Sequence, residues 1–60
     1  MNRLTFKSEK ALSSWVKSIY LISDSPDDLQ DRLVKTTADC EIKVEGEEKP
    51  YSVADLMLLC

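Results

Sequence analysis

Ser8-Glu9-Lys10-Ala11-Leu12-Ser13-Ser14-Trp15-Val16-Lys17-Ser18-Ile19-Tyr20-Leu21-Ile22 is the most strongly periodic stretch of the chain. Leu12, Trp15, Val16, Ile19 and Tyr20 recur at i, i+3, i+4, i+7 and i+8, which is one face of an α-helix. Lys10, Ser13, Ser14, Lys17 and Ser18 take the other face. Leu21 and Ile22 widen the apolar stripe, so this helix is expected to supply most of the core, with Trp15 and Tyr20 inside it. Upstream, Arg3-Leu4-Thr5-Phe6 alternates polar and apolar residues. It reads as a short edge strand or an extended arm.

Downstream, Ser23-Asp24-Ser25-Pro26 ends the helix. Ser25 suits an N-cap, Pro26 the first helical position, and Asp28 the position three residues after the cap. Asp27 and Asp28 also favour the positive end of a helix dipole. A second, acidic helix is expected from Pro26 to about Lys35, with a thin stripe of Leu29, Leu33 and Val34. Thr36-Thr37-Ala38 then leads into Cys40-Glu41-Ile42-Lys43-Val44-Glu45. There Cys40, Ile42 and Val44 alternate with charged residues, the pattern of a half-buried strand. Gly46, Glu47 and Glu48 make a turn, and Lys49-Pro50-Tyr51 is expected to return as a short strand. Ser52 with Asp55 forms the S-x-x-D start of a last helix carrying Val53, Leu56 and Met57. The expected fold is α+β in a single domain, residues 1–60: a long amphipathic helix, a second acidic helix, a β-hairpin packed on the first helix, and a short C-terminal helix.

Sixty residues can bury only about 60% of their unfolded surface, so stability is marginal. The apolar fraction of 43% is nonetheless that of a folded domain. Residues 1–10 lack the apolar core of a signal peptide, and no run approaches the roughly 20 apolar residues that span a bilayer. Cys40 and Cys60 are too few for a disulfide framework. A cytoplasmic protein with free thiols and no membrane contact is expected.

The residue inventory argues against catalysis. There is no histidine, so the usual general base near neutral pH is absent. The serines have no evident activating base, and no catalytic residue is assigned. Two isolated cysteines cannot fill a structural zinc site. The loop Asp24-Ser25-Pro26-Asp27-Asp28 lacks the central glycine and terminal glutamate of a calcium loop, and a capped helix start already explains it. A single glycine rules out a phosphate-cradling loop. No metal or cofactor is expected.

Charge is sorted along the chain. Residues 1–23 carry Arg3, Lys7, Lys10 and Lys17 against Glu9, a net +3; residues 24–60 carry ten acids against four bases, a net −6; the chain totals −3. The four N-terminal cations suggest a small DNA- or RNA-associated regulator. The helix that would read a groove, however, carries Asp27, Asp28 and Asp31 where Arg, Asn or Gln are needed, which argues against direct nucleic-acid binding. The acids instead suit a protein partner with a basic surface, such as a nucleic-acid-binding groove. The leading expectation is a non-enzymatic protein-binding module, a small acidic inhibitor or adaptor contacting its larger partner through Asp27, Asp28, Asp31, Glu45, Glu47, Glu48 and Tyr51. Size and charge are those of small proteins that phages and mobile elements direct against host nucleases, CRISPR effectors or transcription; that step is analogy. A third expectation is a homodimeric assembly protein joined through Leu58 and Leu59, which leave the last helix apolar almost all round.

The strand alternation places Cys40 on the buried face, with Cys60 accessible. Under native conditions a thiol reagent should therefore modify Cys60 first; faster modification of Cys40 would mean a strand register one residue out.

Overall fold

Two short strands far apart in sequence pair in parallel. In the computed structural model, which describes residues 2–59, β1 is Asn2–Phe6 and β2 is Cys40–Val44, with Leu4 opposite Ile42 and Phe6 opposite Val44. Parallel strands need a long crossover. Two helices supply it: α1, Glu9–Ile22, and α2, Pro26–Asp39. A short helix, α3, Val53–Met57, follows β2. The domain is α+β, as the periodicities indicate.

Each helix starts where local chemistry starts it. The Ser8 hydroxyl accepts from Ala11 N–H at 3.2 Å. The Ser25 hydroxyl accepts from Asp28 N–H at 3.2 Å, with Pro26 next in line. At α3 the Ser52 hydroxyl accepts from Asp55 N–H, and the Asp55 carboxylate accepts from Ser52 N–H at 3.1 Å, closing a capping box. Caps of this kind contribute about 1 kcal/mol each. That is a large share for a domain so thin.

The core takes residues from four elements. Leu12 and Val16 of α1, Leu29 and Leu33 of α2, Ile42 and Val44 of β2, and Leu56 of α3 are all buried. Leu4, Phe6, Trp15, Ile19 and Cys40 pack around them, half-buried. The Phe6 and Trp15 rings lie 5.5 Å apart and tilted by 48°, a favourable aromatic pairing that ties β1 to α1. The opposite face of the sheet is wet: Arg3 and Thr5 are exposed there, and Arg3 approaches Glu41 across the strands at 3.7 Å.

Five expectations are corrected. The first concerns the hairpin: β2 is the expected strand with the expected face inward, but its partner is β1. Gly46 turns the chain at φ +90°, Glu47 N–H donates to Val44 O at 3.0 Å, and Tyr51 N–H returns to Ile42 O at 2.8 Å. The next rung would run to Val44 O, which already accepts from Glu47 N–H, whereas β1 brings an unbroken row with Leu4 and Phe6 on the core side. The second concerns the hairpin's packing. It is β1 that packs on α1, and β2 lies against α2.

The third correction is the end of α2, which runs four residues past Lys35 to Asp39. Thr36 and Thr37 stay helical because their hydroxyls donate back to Arg32 O and Leu33 O, each at 2.9 Å. The fourth concerns the end of α1. Tyr20, Leu21 and Ile22 are 47%, 73% and 65% exposed. A sheet two strands wide covers only a narrow stripe, so α1 shares the core with α2 and does not dominate it. The fifth concerns Val34, expected in the stripe of α2 but likewise exposed. Cys60 lies outside the described residues.

Replacing a fully buried leucine should remove most of the stability. Leu33→Ala is expected to cost about 2–5 kcal/mol, enough to unfold a domain of this size, whereas Val34→Ala one residue on should be near neutral. Urea titrations followed by circular dichroism compare the two; equal sensitivity would contradict this core.

Candidate functional site

The outer edge of β2, the turn after it and the cap of α3 meet at Tyr51. The backbone of Tyr51 is held by its hydrogen bond to Ile42, and the next residue opens the capping box of α3. Rigid structure on both sides therefore positions an aromatic ring on an otherwise irregular segment. Two depressions adjoin there and share Pro50 and Tyr51. One, of about 290 Å³, is a mostly apolar slot between the end of α2 and β2, lined by Thr37, Cys40, Glu41 and Ile42. The other, of about 260 Å³, is more polar and is lined by Glu47, Lys49 and Asp55.

The electrostatics of the second depression are negative. Tyr51 is half-buried, and its phenol is pushed above its ordinary value, first by desolvation and then by the charges of Glu9, Glu47 and Asp55. Among the described residues, ion pairs engage Glu41, Asp28 and Asp31. Glu45, Glu47, Glu48 and Asp55 have no cation within ion-pair distance among those residues. All four are exposed.

The seven residues expected at the contact surface fall into two groups. Glu45, Glu47, Glu48 and Tyr51 lie together along the turn and return segment. Asp27, Asp28 and Asp31 sit on the first turns of α2, and no described hydrogen bond, ion pair or cavity joins them to Tyr51. Two of these aspartates are partly neutralised. Asp28 accepts from Arg32 at 3.0 Å and from Asp24 N–H at 3.2 Å, and Asp31 lies 3.1 Å from Lys35.

Sequence reasoning missed Glu9, Pro50 and Asp55 as members of the site. Asp55 was legible only as a capping residue, and Glu9 lies in the basic part of the sequence; the fold sets Asp55 in one depression with Tyr51, and the charge of Glu9 is felt there. Of the N-terminal cations, Lys7, Lys10 and Lys17 are exposed, while Arg3 faces Glu41. At the end of α3, Leu58 is 83% exposed. Leu59 packs on the core, and its carbonyl accepts from the Ser13 hydroxyl at 3.0 Å. No helix among the described residues is long and apolar enough to cross a membrane.

Comparison with known proteins finds no matching family model, no matching curated protein and no matching solved structure.

The Arg32 hydrogen bond, reinforced by the Asp24 amide, holds Asp28 below the ordinary aspartate value of 3.8. A carboxyl with a depressed value stabilises the fold while ionised, and that contribution is lost as pH falls through the folded-state value. Asp28→Asn should therefore be less stable than wild type at neutral pH, with the two converging in acid. Thermal melts across that range measure it; a constant difference would contradict the assignment.

Proposed function

We propose that this chain is a non-enzymatic protein-binding module that occupies a basic surface of a larger partner through the region around Tyr51. The observation that carries this reading is a half-buried tyrosine seated between an apolar slot and a depression lined by Glu47 and Asp55. A tyrosine anchor with a charged rim is a favourable arrangement for an interface: the ring supplies contact area at low entropy cost, and the rim steers a partner of opposite charge.

The complementary surface is cationic, with an apolar side chain to enter the slot. A groove that normally holds nucleic acid meets the first requirement, because Glu45, Glu47 and Glu48 can stand where phosphates stand. The module then acts as a competitive blocker and needs no chemistry of its own. The small inhibitors encoded by phages and mobile elements work in this manner, and blocking a nuclease, a CRISPR effector or a transcription protein is the role we infer by analogy. The paired aspartates of α2 take a lesser part, since Arg32 and Lys35 already offset Asp28 and Asp31.

Affinity capture from native cells, followed by titration of the purified partner, tests this. Tyr51→Ala and the triple change Glu45→Gln, Glu47→Gln and Glu48→Gln should each weaken binding at least about tenfold. Added salt should weaken it as well, and a nucleic-acid fragment should compete. A partner that binds both variants as tightly as wild type would sink the reading, as would turnover of a small molecule by the purified chain.

A further inference from the structure

β1 has two edges and uses one. Glu45 N–H donates to Phe6 O at 2.8 Å, so the Phe6 carbonyl faces β2. Tyr51 N–H donates to Ile42 O at 2.8 Å, so Ile42 faces away from β1, toward the return segment. In a parallel ladder the bonding direction alternates from one residue to the next. With Leu4 opposite Ile42 and Phe6 opposite Val44, Leu4 and Phe6 bond to β2. Arg3 and Thr5 consequently turn their N–H and C=O groups to the outer edge. Both residues are exposed, and among the described residues no strand lies on that side. β1 holds no proline, glycine or break in register that would blunt the edge. Such an edge is a template for another strand.

We propose that the outer edge of β1 pairs antiparallel with β1 of a second copy, forming a symmetric dimer whose continuous sheet runs β2-β1-β1-β2. The strand is complementary to itself about Leu4. In that register Arg3 of one copy exchanges both backbone hydrogen bonds with Thr5 of the other, and the reverse pair does the same. Leu4 meets its own counterpart on the core side, where each is only half-buried in a single copy. On the wet face Arg3 lies opposite Thr5, so no like charges stand directly across from each other. Leu4 against Leu4 on the core side, with the unlike pair Arg3 and Thr5 across the wet face, is what favours a second copy over a foreign strand.

The physical need is plain as well. A two-stranded sheet is a weak unit, and a domain of this length is marginal. Twofold pairing uses up the open edge, so the assembly closes and does not run on. The alternative contact at the end of α3 offers one well-exposed leucine, Leu58, while Leu59 is committed to the core. The region around Tyr51 lies beyond the far edge of β2 and stays open in the dimer. The inference is thus independent of the proposed function.

Equilibrium sedimentation of the full chain over a rising concentration series should show twice the monomer mass. Thr5→Pro should abolish the dimer and leave circular dichroism unchanged, because among the described residues the Thr5 N–H has no partner within one copy. Thr5→Arg adds no backbone constraint and sets arginine against Arg3 of the other copy twice over; it should also give monomers. A wild type that stays monomeric up to millimolar concentration overturns the proposal. So does a dimer that both Thr5 variants retain, or one that only Leu58→Lys disrupts.

Discussion

The pairing of β1 with β2 is the constraint on which the rest of this structure depends. It joins the first residues of the chain to the fifth decade of the sequence, with both long helices in between. Closing so long a loop costs chain entropy. That cost is offset only because the same closure brings Leu4, Phe6, Ile42 and Val44 onto one face and lays them against leucines of the helices. Ladder and core are therefore one cooperative event, and neither is stable without the other. The turn after β2 and the cap of α3 are arranged around the result.

The functional geometry follows from the asymmetry of that sheet. Its two strands leave two edges, and the chain treats them differently. On the β2 side the return segment makes one hydrogen bond through Tyr51 and then enters α3, which places an aromatic ring among acids. On the β1 side the backbone of Arg3 and Thr5 is left facing outward. A third strand on either side would have erased one of these features. Among the described residues neither edge receives one.

Charge is distributed on a different principle. The acids of α2 are followed one helical turn later by Arg32 and Lys35, so much of their field is spent locally. The acids after β2 sit in a turn, where no such spacing operates, and among the described residues neither Lys43 nor Lys49 comes within ion-pair distance of them. Two acidic clusters of similar appearance in the sequence therefore have different electrostatic reach. Secondary structure, more than the number of carboxylates, sets that difference.

What the sequence by itself determined is everything governed by neighbours a few residues apart. Ser8, the Ser25-Pro26-Asp28 start and the Ser52-Asp55 box place the helix beginnings, and strict alternation places the inward face of β2, because caps and side-chain periodicity are local. The end of α2 was less legible, since Thr36 and Thr37 suit a strand as well as a helix until their hydroxyls find Arg32 O and Leu33 O. Tertiary structure alone decided the partner of β2, the exposure of Tyr20, Leu21 and Ile22, and the placing of Asp55 in one depression with Tyr51. These depend on which surfaces meet across long stretches of chain. No local preference specifies such a meeting, and only the joint burial of the core selects it.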